Sequence, residues 1–319
     1  MPARAAGTVT PAPATGGTRP RPRLGARDSR DGGDRRRRPL TTVIIYVCAV
    51  IFALWVLLPV WYLLVSSVIT PAQLGVKPFP VIPTGITLDN YVSLLTGSTG
   101  DDTFGSTDAG SRLLPAIAQS FLVSTVLVVL NLLIAGIAAY GLSRYPFRGS
   151  HVFELSVIAS RVVPAIAIIG PFFVAFRVMD ILDTPWALII SYNVFTLPLA
   201  ILVLKNYFDQ LPREIEEAAS IDGATRLQTL AIVILPIAKP GLIAAGVLIF
   251  LEAWSEFFYS LVLTNQLTVP PLLVGFQSVQ QFNWNSLAAA TVLALIPPVV
   301  LVLIFQRHVV GALAAGYDK

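Results

Sequence analysis

Thr42-Val-Ile-Ile-Tyr-Val-Cys-Ala-Val-Ile-Phe-Ala-Leu-Trp-Val-Leu-Leu-Pro-Val-Trp-Tyr-Leu-Leu-Val-Ser-Ser-Val-Ile69 contains no charged residue along its whole length. About 20 apolar residues in a helix cross the hydrocarbon of a bilayer, so this run spans it with residues to spare. A barrel strand is about half that length and alternates polar with apolar residues, which this run does not. Lipid offers no hydrogen bonds to a bare backbone, and the run therefore predicts a transmembrane helix. The remainder of the chain agrees. Of 319 residues 55% are hydrophobic and 13% charged, where a water-soluble domain carries about 25% charged.

Five further runs of membrane length follow at about 115–142, 152–176, 185–205, 240–264 and 286–306. Together they predict an all-α membrane protein with six transmembrane helices. Pro59, Pro164, Pro171, Pro198, Pro297 and Pro298 fall inside these runs. Each removes a helical donor and favours a kink, although proline is also simply commoner in membrane helices than in soluble ones. No internal repeat is visible.

The loops between the runs alternate in charge. With the N-terminus in the cytoplasm, 18 of the 22 Lys and Arg lie on that side, ten of them in the first 39 residues. The outer side holds Lys77, Arg112 and Arg177, and Arg161 lies within a run. The positive-inside rule then places both termini in the cytoplasm. The net charge of +4 is thereby read as topology, with no nucleic acid as partner. Residues 1–39, rich in Pro, Gly, Ala and Arg, predict a disordered basic cytoplasmic arm. Residues 40–319 form the transmembrane domain. The run from Thr42 is too long for a signal-peptide core and is followed by no A-x-A site, so an uncleaved first span is expected. The single cysteine, Cys48, excludes a disulfide scaffold and a cysteine-rich metal site.

Catalytic spacings are absent: the sequence contains no G-x-x-x-x-G-K-[ST], H-E-x-x-H, G-x-S-x-G or G-x-G-x-x-G. His151 and His308 stand at expected helix ends on the basic side, as boundary residues. With no loop to cradle a nucleotide, the chain is expected to bind no cofactor and to hydrolyse no ATP by itself. Energy must come from an ion gradient or from a partner.

The informative loop is 206–239, between spans 4 and 5. Pro212 suits a first helical position, and Glu214, Glu216 and Glu217 favour the positive end of a helix dipole. A short helix is expected to run to about Ile221, with Gly223 adopting the left-handed conformation that ends it. Thr225 then caps a second helix, whose Leu227, Leu230, Ile234 and Leu235 lead back to the bilayer. Ala218 and Ala219 leave a shallow spot where a groove or another backbone can approach. An interfacial helix resting on anionic headgroups would be basic. This one carries Glu214, Glu216, Glu217 and Asp222 against Arg213 alone, which favours a protein partner.

Glu217-Ala218-Ala219, three residues, Gly223, nine residues and Val233-Ile234-Leu235-Pro236 together resemble the E-A-A loop of permease subunits in binding-protein-dependent ABC importers. Val233 stands where that family usually has Ile. Ala139-Tyr-Gly-Leu-Ser-Arg-Tyr-Pro-Phe-Arg-Gly149, Trp254-Ser-Glu-Phe257 and Gln306-Arg-His-Val-Val-Gly-Ala-Leu-Ala-Ala-Gly316 resemble the carbohydrate branch and its MalG-type subunit, with Ser255 in place of the branch's Asn. The resemblance covers Thr42 to the C-terminus. It implies a bacterial plasma (inner) membrane location and three kinds of partner: an ABC ATPase dimer that holds ATP and Mg, a second, MalF-type permease, and an extracytoplasmic solute-binding protein. In such importers the first helix of the loop sits in a cleft of the ATPase. Glu217, Ala218, Ala219 and Gly223, with Glu214 and Asp222 beside them, are thus implied as docking residues of a coupling helix.

Arg161, Glu252 and Glu256 are expected at membrane depth, where a central charge costs about 2.5–3.5 kcal/mol on insertion scales. Glu252 and Glu256, four apart, are expected on one helix face, available to a solute pathway or to an interhelical pair with Arg161. Trp254, Tyr259, Asn193 and Tyr192 are available to contact a sugar, but packing or interface anchoring explains them better. The expected function is half of the translocation pathway of an ATP-driven importer for a sugar or sugar-like solute. A non-sugar solute and an ion-coupled secondary carrier are the alternatives.

Overall fold

The computed structural model describes residues 39–76, 82, 83, 85–96, 110–276 and 284–314. The arm expected to be disordered lies outside the described residues, apart from Pro39. The chain divides into two units, Met1–Trp55 and Val56–Lys319. The described part of the first is the opening of helix α1 (Pro39–Val68), where apolar side chains such as Tyr46, Phe52 and Trp55 are exposed. Phe52 and Trp55 stand with ring centroids 6.3 Å apart.

In the second unit every regular element among the described residues is a helix. After α1 come two short helices, α2 (Pro71–Leu74) and α3 (Asp89–Thr96), then the long α4 (Leu113–Arg144). Helices α5 (Ser150–Ser160) and α6 (Ala165–Val178) follow, bent by 91° with respect to each other. The break falls at Pro164, which caps α6 in an extended conformation and cannot donate to the turn before it. By contrast Pro59, Pro171, Pro198, Pro297 and Pro298 all lie inside helices. The run 152–176 is therefore two helices meeting at a sharp bend, where one unbroken helix was expected. Hydropathy sums across a break without registering it.

Helix α7 (Pro185–Asp209) starts at a proline in its first turn. Beyond it lie α8 (Glu214–Ile221), α9 (Arg226–Gln228), a π-helix (Thr229–Ile234), α10 (Leu235–Ile237) and α11 (Lys239–Trp254). The segment Arg226–Ile237 meets α11 at 80°. Helices α12 (Phe258–Leu263), α13 (Val269–Val274) and α14 (Trp284–Ala314) are the last among the described residues. The run 240–264 is thus also broken, at Ser255 to Phe257. Among the described residues four helices are individually long and apolar enough to cross a membrane, and up to six if each bent pair counts as one span.

Two apolar clusters hold this unit together. One gathers Leu127, Ala135 and Ala139 of α4, Leu188, Tyr192 and Leu204 of α7, and Ala245 and Ile249 of α11. The other gathers Leu113, Phe250, Trp254, Leu272, Ala289 and Ala290 from α4, α11, α13 and α14. Small residues let membrane helices approach closely where lipid supplies no hydrophobic drive between them. Gly241 shows the limit of that approach, because a Cβ there would overlap the ring of Tyr207 on α7. Buried polar links add direction. Asn131 Nδ2 donates to Thr196 Oγ1 at 3.2 Å, joining α4 to α7, and Asn285 Nδ2 donates to the carbonyls of Ser66 and Ile69 at 2.9 and 2.7 Å, joining α14 to the end of α1.

Candidate functional site

The loop between α7 and α11 folds as a helix-turn-helix. Glu214, Glu216 and Glu217 occupy the first turn of α8, where their charges meet the unpaired N–H groups of the helix start. The helix ends in a Schellman motif: Gly223 N donates to Ser220 O at 3.1 Å and Ala224 N to Ala219 O at 3.0 Å, with Gly223 at φ 84°. Thr225 forms a reciprocal capping box with Gln228, whose Oε1 accepts from Thr225 N at 2.8 Å. The turn and both caps follow from the sequence alone.

Glu214, Glu217, Ala218 and Ile221 point outward from α8, and Asp222 and Gly223 are exposed beside them. Ile221 is 87% exposed, a large apolar side chain in open solvent flanked by carboxylates. Ala219 is half-buried. The outward face is therefore acidic at its start, flat at Ala218 and apolar at its end. Such a surface suits a groove on another protein better than an anionic lipid surface.

The inward face contains what the sequence reading did not single out. Glu216 Oε1 lies 2.5 Å from Arg144 Nε, and Glu216 Oε2 accepts from Tyr140 Oη at 3.0 Å. Arg144 Nη2 also donates to Leu211 O at 2.9 Å. The ion pair is sheltered, with side-chain exposures of 5% and 14%. Arg226 stacks its guanidinium 4.3 Å from the centroid of the Tyr145 ring. Beside it Ser143 Oγ donates to Asp209 Oδ1 at 2.6 Å, and Lys205 bonds both Asp209 and Glu154 at 2.9 and 3.3 Å. The one signal for these contacts was the excess of acid on α8, which called for a compensating base.

The charges expected at membrane depth divide. Arg161 Nη2 lies 2.8 Å from Glu252 Oε1, so the interhelical pair exists. Glu256 does not share a helix face with Glu252, because α11 ends at Trp254. Its carboxylate instead accepts from Tyr259 N at 3.1 and 3.2 Å and from Ser260 N at 3.4 Å, closing the start of α12. The residues that could have contacted a sugar divide as well. Tyr192, Tyr259 and Trp254 are core residues: Tyr192 and Tyr259 sit edge to face with centroids 6.2 Å apart, and Trp254 stacks on Phe250. Asn193 lines an open cleft of about 340 Å³ between α5 and α7 with Ser156, Ser160 and Leu197.

On the opposite edge of the fold, Asp183 clips two loops together. Its Oδ1 accepts from Asn265 N at 2.7 Å and Thr264 Oγ1 at 2.9 Å, and its Oδ2 accepts from Asn265 Nδ2 at 3.2 Å. The backbone N–H of Asn265, followed by the Asn265 and Thr264 side chains, holds this carboxyl below the usual aspartate range. No group of three or more His, Cys, Asp or Glu arranged to hold a metal occurs among the described residues.

Comparison with known proteins gives this geometry a context. Residues 131–314 match the family described as binding-protein-dependent transport system inner membrane component. The trehalose/maltose transport system permease protein MalG of Thermococcus litoralis is 32% identical over 290 residues, covering 89% of this chain and 99% of that protein. The sulfoquinovosyl glycerol transport system permease protein SmoH of Agrobacterium fabrum is 33% identical over 274 residues, covering 85% and 92%. Among solved structures, a chain of a bacterial ABC transporter involved in import of the acidic polysaccharide alginate superposes with a TM-score of 0.67. It is 24% identical and covers 85% of this chain and 97% of its own.

Proposed function

Because the chain belongs to the family of binding-protein-dependent transport system inner membrane components, we propose that it forms half of the translocation pathway of an ATP-driven importer for a sugar or sugar-like solute. It is a multi-pass protein of the plasma (inner) membrane. In the proposed arrangement the bent pair of α5 and α6 serves as one span and the run 240–264, opening with α11, as another, giving six, and both termini face the cytoplasm. The distribution of Lys and Arg supports that orientation.

The observation that carries the reading is α8. Its outward face offers Glu214, Glu217, Ala218 and Ile221, and its end is fixed by Gly223 at φ 84°. We assign it as the coupling helix, seated in a cleft of a partner ATPase that holds ATP and Mg. A second permease and an extracytoplasmic binding protein complete the assembly. Closure of the ATPase pair on ATP then biases the spans only so far as the closed pair binds one arrangement better than the other. The sugar class rests on the named cargoes of the relatives, a trehalose/maltose system and a sulfoquinovosyl glycerol system.

An ion-coupled carrier would need free intramembrane charges to bind and release the ion. Arg161 and Glu252 neutralise one another here, and Glu256 is engaged by backbone N–H groups. The test is reconstitution with the sister permease, the ATPase pair and the binding protein in vesicles that hold no ion gradient. ATP-dependent uptake of a disaccharide supports the proposal. Uptake that needs an imposed gradient and ignores ATP overturns it.

A further inference from the structure

Besides the short covalent connection back to α7 through residues 210–213, two routes lead from α8 into the membrane helices, and they differ in stiffness. The covalent route runs through Gly223, α9, the π-helix and α10 to α11. In the π-helix Leu235 N donates to Leu230 O, five residues back, a rare geometry that tends to occur at functional sites. The route then turns through 80° at Ala238 before α11 begins. A push along α9 and α10 is therefore not directed along α11, and it must first pass a glycine turn and an irregular helix.

The second route is not covalent. Glu216, on the inward face of α8, is held by Arg144 Nε at 2.5 Å and by Tyr140 Oη at 3.0 Å, and both of these residues belong to the last turns of α4. Arg144 also holds Leu211 O, on the strand of chain entering α8, at 2.9 Å. Because the pair is almost fully sheltered, salt screens it little. At the same level α4 is tied to α7 by Ser143 and Asp209 at 2.6 Å and by the edge-to-face contact of Tyr140 with Phe208, 6.2 Å between centroids. Helix α8, the end of α4 and the end of α7 are thus bonded into one block.

The geometry points to Arg144 and Tyr140 as positioning residues that grip Glu216, so that movement of α8 enters the membrane through α4 and α7 and reaches α11 only afterwards. This rests on the assignment of α8 as the docking helix. In the inference α9, the π-helix and α10 act as a compliant link that lets α11 lag behind the block.

The test uses the complete transporter in vesicles and reads three quantities: ATPase retained on purification, ATP hydrolysed, and solute taken up per ATP. In Glu216→Ala the ATPase is expected to stay bound as in the unaltered complex, while uptake per ATP falls about tenfold or more, a loss within the usual range of coupling between sites. The exchange of Arg144→Glu with Glu216→Arg is expected to recover much of that loss, which assigns the effect to the pair and not to the Glu216 side chain alone. Tyr140→Phe, which keeps the ring and removes one hydrogen bond, is the milder probe should the first variant fail to accumulate, and a fall of about threefold is expected of it. Unchanged uptake per ATP in Glu216→Ala or in Tyr140→Phe overturns the inference. So does loss of ATPase from Glu216→Ala, which would make Glu216 a docking residue. An unaltered chain that retains no ATPase at all would instead defeat the docking assignment beneath it.

Discussion

Arg161, at the bend between α5 and α6, reaches Glu252 on α11, 91 residues further along the chain, with Nη2 2.8 Å from Oε1. The pair joins the two broken helices of the fold to each other. Both side chains remain a quarter to a third exposed, so the penalty for removing one partner should fall below the 3–5 kcal/mol of a fully buried pair. Glu252→Ala is expected to cost about 1–2 kcal/mol and to lower the melting temperature in detergent. Replacing both residues by Leu should cost less than either single change, because no unpaired charge is left behind. A double variant less stable than both singles would contradict this account.

Gly223 closes α8 at φ 84° with open space around the position a Cβ would take. The strain of a substitution there is conformational, not steric. Gly223→Ala is expected to cost about 1–2 kcal/mol locally and to leave transport reduced but present. Gly223→Pro fixes φ near −65° and removes the N–H that bonds Ser220 O, so the turn cannot form. That variant, and Glu217→Lys on the outward face, should insert normally yet take up no solute on ATP addition. Normal uptake by both would count against α8 as the docking element.

Gly241 on α11 sits against Tyr207 of α7, where an added Cβ would lie 2.7 Å from both Cδ atoms of the ring and closer still to Cγ. The ring is anchored at its base and cannot swing away as a chain end could. Gly241→Ala should therefore destabilise by about 1–3 kcal/mol. Adding Tyr207→Ala should remove most of that increment, and a double-mutant cycle on thermal unfolding measures the coupling. Additive effects would show that the two helices are not in contact.

Asp183 has a folded pKa below its ordinary value, chiefly through the Asn265 backbone N–H. The sign follows from linkage: a depressed carboxyl contributes stability that is complete above its unfolded pKa of about 3.9 and is lost as the pH falls through the lower folded value. Asp183→Asn, which tolerates the observed φ of 62°, should be less stable than the unaltered chain at pH 7. Below about pH 4 the gap should narrow. A gap independent of pH would assign the effect to backbone geometry alone.

The legible parts of the fold are those determined by local chemistry. Gly223, Thr225 and the three glutamates of α8 announce a cap, a turn and a helix start within a few residues of one another, and the structure places each as the spacing requires. The grip of Arg144 on Glu216 was hidden because it joins positions 72 apart, and helical spacing says which residues share a face without saying what that face meets. The breaks at Pro164 and after Trp254 were hidden for another reason. Both flanks of each break are apolar, so the hydropathy signal continues across it. Pro164 does not stand out among six prolines, five of which sit inside helices. The expected pairing of Glu252 with Glu256 on one face failed for the same reason, since the four-residue rule holds only while the helix continues.

The brevity of α11 has a consequence for how the chain is made. Its 16 residues rise about 24 Å, short of the roughly 30 Å of hydrocarbon, and α5 and α6 are shorter still, with 11 and 14 residues. Among the described residues only Thr42–Val68, Leu113–Arg144, Pro185–Asp209 and Trp284–His308 qualify for a membrane crossing on their own. Biosynthetic insertion should accordingly proceed in two classes, with these four entering the lipid unaided as they leave the translocon. The bent pairs would wait for neighbours already in place, so that a late-arriving α14 completes the burial of an α11 that entered before it.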